Sequence, residues 1–194
     1  MKKFELTSEF ITNIFGTKLF RIKALVEFRD VKAGEFGGYV EKEENLDQSG
    51  DAWVSDNARV YGDARVFGNA CVSDNAWVSD NAWVSGDARV YGDAWVSGNA
   101  WVSGNAWVSG NAWVSGDARV SDDAEYATAK GFGSCYRTTT FFRTKDGQVE
   151  VQCGCFNGTL DEFKEKVKET HGDSKTAKEY LMLADLMEYR FAKE

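Results

Sequence analysis

The groups able to do covalent or metal chemistry are few. Cys71, Cys135, Cys153, Cys155 and the single histidine, His171, are the soft ligands and nucleophiles of the chain. Cys153-x-Cys155 with Cys135 and His171 offers four zinc donors on paper. CxC with distant partners is a weak metal signature, however, and cysteines on a hairpin are usually packing residues. An even thiol count in a chain of this size with no apolar leader reads as reduced thiols. Hard-ligand chemistry would fall to Asp51, Asp87 and Asp123, which share one line with Asn69 and Asn105. Alternation with Asn dilutes a cation site, and left-handed turn residues are the expectation there. No cofactor and no metal is expected.

Binding chemistry is far denser. Seven tryptophans stand at 53, 77, 83, 95, 101, 107 and 113, each followed by Val. Arg59, Arg65, Arg89 and Arg119 occupy the same place in the same unit. Indoles pack offset or edge to face, guanidinium groups lie on ring faces, and Trp and Arg dominate binding hot spots.

A strict repeat must position them. Written as Ala-x-Val-x-x-x, it places Ala every six residues from 52 to 118, with Val two residues later each time. In a strand, Ala and Val share one face and x takes the other. The three residues after Val are rich in Gly, Asp and Asn, which make tight turns. Each hexad is therefore a short strand plus a corner, and three hexads close a triangular coil of eighteen residues. "LDQSGD" (46–51) and "AEYATA" (124–129) read as degraded units at the two ends. A helical reading fails, because Gly and Asn recur in nearly every unit.

Sorting x by eighteen separates three outward sides. One carries Trp53, Cys71, Arg89 and Trp107. The second carries Arg59, Trp77, Trp95 and Trp113. The third carries Arg65, Trp83, Trp101 and Arg119. The candidate binding residues are the two continuous ladders, Trp77, Trp95 and Trp113 and Trp83 and Trp101, with Arg59, Arg65 and Arg119 at their ends. All seven indoles are expected to point outward. The Ser after Val is expected to point outward too, leaving small flanks around the rings. Such large apolar patches are seldom left open, so cover by the C-terminal region or a second subunit is the leading expectation. A ligand or partner on one ladder is the sharper one.

The flanks differ in character. Residues 1–45 read as an N-terminal β cap, with strands in "KKFEL" and "KLFRIKALVEF" and a lead-in "DVKAGEFGGYV" that places Gly38 and Val40 in Ala-x-Val spacing. A cap hides the unpaired edge of a solenoid. Residues 46–124 form the repeat. Residues 125–194 read as a β-hairpin turning at Asp146-Gly147, then two helices. Thr159 and Glu162 fit a capping box, Gly172 fits a stop, and Tyr180, Leu183, Ala184, Met187 and Phe191 share one helical face.

The net charge of −8 is concentrated in the repeat: residues 46–124 carry four Arg and eleven Asp, whereas both flanks are nearly neutral. That excludes ordinary binding along a nucleic-acid backbone, which needs a basic track. No apolar run approaches a membrane span, and a cytoplasmic location is expected.

The Ala-x-Val hexads, with Val102 followed four places later by Ala106, resemble the hexapeptide-repeat family of left-handed parallel β-helices. The resemblance implies about four to five coils and, commonly, homotrimers packed side by side. The lead-in "LFRIKAL…DVKAGEFGGYVEKEENL" and the tail "CGCFNGTLDEF…HG…Y" resemble phage and prophage members of that family. From this follows the expected function: a non-catalytic binding protein of phage type that oligomerises and engages a host defence component in the host cytoplasm. It would sequester a nucleotide signal or occlude a host protein. The alternatives are an acyltransferase using acyl-CoA and a structural or assembly protein. The transferase reading needs a base, usually His, in a cleft between subunits. His171 stands outside the coils, between the two helices.

Overall fold

The computed structural model describes residues 2–133 and 135–192. Three strands come first: β1 (Phe4–Thr12), β2 (Lys18–Ala24) and β3 (Phe36–Val40). Twelve two-residue strands, β4–β15, then follow one every six residues from Trp53–Val54 to Arg119–Val120. With the lead-in at Val40 and Leu46, they wind a β-solenoid of about five turns whose coils pair in parallel on three sides. β16 (Tyr126–Ala129), β17 (Thr139–Arg143), β18 (Val149–Cys153) and β19 (Phe156–Thr159) form an antiparallel sheet, followed by α1 (Leu160–His171) and α2 (Lys175–Phe191).

The solenoid core is built as the hexad dictates. Every Ala and Val from Ala52 to Val120 is fully buried. The chain turns at the residue two before each Ala. There φ is positive, with Gly at Gly86 and Gly98 and Asp at Asp56, Asp74 and Asp80. This corrects the expectation for Asp51 and Asp87, where the left-handed position is one residue earlier, and for Asp123, where neither it nor Asp122 has positive φ. At Gly86 the next coil's Gly104 backbone would lie 2.9 Å from an added Cβ, so stacking of corners also selects Gly. The three Asp exceptions use their carboxylates: those of Asp74 and Asp80 accept the Gly92 and Gly98 amides one coil on, at 2.9 and 3.1 Å. Asn and Asp at the next position ladder along the corners, as in Asn69 to Asp87 (3.0 Å) and Asn99 to Asp117 (3.2 Å).

The N-terminal strands are continuous with one solenoid side. β3 pairs in parallel with β5 (Arg59–Val60), giving a seven-stranded sheet in the order β1-β2-β3-β5-β8-β11-β14, where β8, β11 and β14 are Trp77–Val78, Trp95–Val96 and Trp113–Val114. Gly38 and Val40 stand at solenoid positions, and Leu46 bridges to Val66. β1 is longer than "KKFEL", because Phe10–Thr12 pair with Lys18–Phe20 past a bulge, and β2 stops at Ala24. The bottom edge is closed by side chains. Lys3, buried, donates to the carbonyls of Ser49, Gly50 and Ala52, and Asn45 donates to those of Gly62 and Ala64. Burial pushes the Lys3 ammonium down, against the pull of Asp47 and Asp51.

At the far end, "AEYATA" is not a coil. Tyr126–Ala129 pairs antiparallel with β17, so the chain leaves the solenoid there. The Tyr126 side chain reaches back to donate to the Trp107 carbonyl. The alternation of β17 sends Phe142 into the solenoid core and Phe141 into a second core formed with Val151, Phe163, Tyr180 and Leu183. The capping box at Thr159 and Glu162, the stop at Gly172 and the buried face of α2 are as the sequence predicts.

Candidate functional site

The coil register brings together the residues that the eighteen-residue sorting predicts. Arg59, Trp77, Trp95 and Trp113 pair in line on one side, and Tyr39 extends that line. Arg65, Trp83, Trp101 and Arg119 line the second. Trp53, Cys71, Arg89 and Trp107 line the third.

The rings pack differently on each side. On the Trp95 side, the Arg59 guanidinium lies 4.8 Å from the Trp77 ring, Trp77 and Trp95 are tilted at 5.5 Å, and Trp95 and Trp113 are parallel at 4.9 Å. On the Trp101 side, Trp83 and Trp101 meet edge to face at 5.3 Å, and Arg119 covers Trp101 at 5.5 Å. Arg65 pairs with Trp83 in register, but the ring that contacts Trp83 is Phe67, at 5.7 Å.

A second spacing, sixteen residues, which the eighteen-residue sorting does not contain, adds a further contact to six of the rings. The Nε1 of Trp95, Trp101 and Trp113 donates to the hydroxyl of Ser79, Ser85 and Ser97, at 3.2, 3.2 and 3.5 Å. These serines are buried under the indoles rather than left as outward flanks. The first ring of each run has an aromatic residue at that place instead. Tyr61, Phe67 and Tyr91 stand edge-on to Trp77, Trp83 and Trp107. A legible signal existed: the units "ARVY" and "ARVF" occur where a ladder begins.

Trp53 keeps its outward place in the register but is covered by the chain. It is 5% exposed, covered by Phe28 at 5.3 Å from the loop between β2 and β3. Its Nε1 has no partner, and the residue sixteen places earlier is Gly37, which has no hydroxyl to offer.

Among the described residues, the flanks leave both ladders partly open. The C-terminal unit closes the last coil, where Thr140 Oγ1 accepts the Trp113 amide and Lys145 pairs with Asp117 at 2.9 Å. Trp83 and Trp101 remain 38% and 37% exposed, Trp107 46%, and Trp77, Trp95 and Trp113 are half-buried. Below Trp83, a cleft of about 470 Å³ is walled by Arg65 and Phe67 on one side and Glu43, Glu44 and Asp47 on the other.

The thiols and the imidazole lie apart from these ladders. Thr139 Oγ1 donates to the Cys153 Sγ at 3.2 Å, and His171 stacks on Tyr180 at 5.9 Å. Burial, reinforced by Cys153, pushes the Tyr180 phenol up to about 12. Among the described residues, no three His, Cys, Asp or Glu side chains converge on a metal position. No helix among them is long and apolar enough to cross a membrane.

The repeat matches the YdcK beta solenoid repeat family at residues 52–66, 58–73, 64–80, 82–98, 88–104, 94–110 and 100–116. The chain is thus a β-solenoid repeat protein, and the likeness is confined to the coils. No curated protein matches the chain.

Proposed function

We propose that the chain is a non-catalytic interaction protein whose solenoid presents a Trp–Arg ladder to other protein surfaces, first of all to copies of itself. The observation that carries this is the Trp83–Trp101 pair. Both rings are more than a third exposed and packed on each other edge to face, and Trp101 is further fixed by its bond to Ser85. Rigid, amphipathic rings held in place cost little entropy on docking, which is what a hot spot requires. Side-by-side packing of three copies is the favoured assembly. In the phage setting implied by the full-length resemblance, the further partner is a host defence protein, and occlusion is the mode of action.

Ring geometry favours protein over nucleotide on these ladders. Coils repeat at ~4.8 Å, so a base cannot enter between rungs. One terminal ring of each run is met by an Arg, Trp77 by Arg59 and Trp101 by Arg119. Acyl transfer finds no support in the placement of His171, whose ring is stacked within the C-terminal unit.

Light scattering of the purified protein tests the reading. The expected mass is three times the 21.6 kDa of one chain, and Trp83→Ser with Trp101→Ser is expected to give a folded monomer. A wild-type monomer at all concentrations, together with turnover of acetyl-CoA, overturns it.

A further inference from the structure

The third side of the solenoid is built unlike the other two. Eleven of the twelve outward hexad positions hold Trp or Arg, and the remaining one is Cys71. In the column Trp53, Cys71, Arg89, Trp107, the thiol stands where a ring would otherwise fill the coil. Arg89 does not compensate, because its guanidinium lies over Trp107, 5.0 Å away, toward the next coil. The missing volume is a cleft of about 430 Å³, with Cys71 and Ser73 as its floor. Trp53 and Val31 wall one end and Tyr91 and Trp107 the other.

The N-terminal unit supplies a second cation to the cleft. Phe28 and Val31 bridge in a tight turn, and Arg29 at its tip has φ +46. Its Nη1 donates to the Asn69 carbonyl at 2.8 Å and to the Cys71 Sγ at 3.1 Å. One contact is with a corner residue and the other with the thiol of the floor, which fixes the guanidinium beside Cys71. Arg29 and Arg89 face one acid there, Asp30. The excess is positive on a segment whose net charge is strongly negative, so the cationic character is local and built by two separate elements. Flat apolar walls with a few converging polar groups are the usual make-up of a small-molecule site.

We propose that this cleft binds a compact ligand that combines a flat aromatic ring with an anionic group. The ring packs against Val31, Trp53 and Tyr91, and the anion is held between Arg29 and Arg89. Carboxylate and phosphate share this chemistry, since guanidinium groups donate to both. The site is separate from the Trp83–Trp101 ladder and does not depend on how that ladder is used.

Cys71 makes the test direct, because an occupied cleft shields its floor. Iodoacetamide forms an S–C bond at the thiol, the C–I bond breaks, iodide leaves and the thiol proton passes to solvent. The rate at Cys71 is read by peptide mass spectrometry on the full-length protein. Four probes are compared at equal millimolar concentration: adenosine monophosphate, 2-naphthoate, adenosine alone and inorganic phosphate alone. One or both ring anions are expected to slow alkylation about tenfold, while adenosine and phosphate leave it unchanged. Which ring anion protects separates phosphate from carboxylate. The Arg89→Gln variant is expected to lose that protection while its far-ultraviolet circular dichroism is unchanged. With no probe present, negatively charged iodoacetate is expected to react at Cys71 faster relative to iodoacetamide than it does in Arg89→Gln. The proposal is overturned if neither ring anion protects, if phosphate alone protects as well, or if Arg89→Gln retains both protection and the rate ratio.

Discussion

Phe141 and Phe142 are neighbours in one strand, both fully buried, yet they belong to different cores. Phe142 closes a column made almost entirely of Ala and Val, in which each coil repeats the one below. Phe141 enters a core in which Phe163, Tyr180, Leu183 and Met187 each have a different shape and a single place. The first core is specified by one rule applied twelve times, so its stability is nearly a sum over coils and their contacts. The second relies on complementary shapes, which specify a unique packing but tolerate little exchange. A ligand-facing surface gains from the first kind, because the coil can change its outward residue without touching the interior.

The largest test of that contrast uses the two phenylalanines. Phe142→Ala and Phe141→Ala are each expected to cost about 3–5 kcal/mol in urea unfolding. Hydrogen exchange should separate them. Phe142→Ala deprotects the last coil, including the Trp101 and Ser103 amides, and Phe141→Ala deprotects α1 and α2. Loss of the same amides in both variants would merge the two regions into one cooperative unit.

The opposite end of the solenoid gives the next effect. Lys3→Met leaves the carbonyls of Ser49, Gly50 and Ala52 without their donor. It is expected to cost about 2–3 kcal/mol, with fraying that starts in the first coil. Equal loss of protection in the C-terminal unit would contradict stepwise behaviour.

Outward packing is worth less. Ser85→Ala removes the acceptor of the Trp101 indole and should cost about 1 kcal/mol. Ser103→Ala is the control, since the residue sixteen places on is Arg119 rather than an indole. Near-ultraviolet circular dichroism should change in the first and not in the second.

A last effect appears only in alkali, and only in the shape-specified core. The fold holds the Tyr180 phenol neutral, with its pKa raised from 10.0 to about 12, chiefly by burial. That contribution is complete below pH 10 and is lost as the pH rises through about 12. Unfolding midpoints should therefore fall across that window in the wild type, and Tyr180→Phe should lack this component.

The fold was legible because Ala-x-Val is a local pattern with a period, and the columns followed from counting coils. The capping box at Thr159 and Glu162 was equally local. Other features needed geometry between coils. The Trp101–Ser85 bond depends on which way an indole leans in its rotamer, and that is not a property of spacing alone. The burial of Trp53 is not legible, because its cover, Phe28, comes from a loop with no periodic signature. "AEYATA" keeps an Ala-x-Ala spacing but lacks the corner Gly, and its pairing passes to Thr139–Arg143. The Cys71 cleft left one trace, the single outward residue that is neither Trp nor Arg. Its walls at Arg29 and Val31 could not be read from the repeat.

The hexad also has an arithmetic consequence. Since every unit offers the same Ala and Val to the interior, a gain or loss of six residues leaves the core intact but rotates all later residues by one side. Trp95 would then continue the line of a different face, and each run of rings would be broken. A change of eighteen residues restores the sides and only lengthens or shortens the rod. The chain can therefore vary its length only in whole turns if its surface is to survive, and selection for the surface must act as a counter of threes on a core that cannot count.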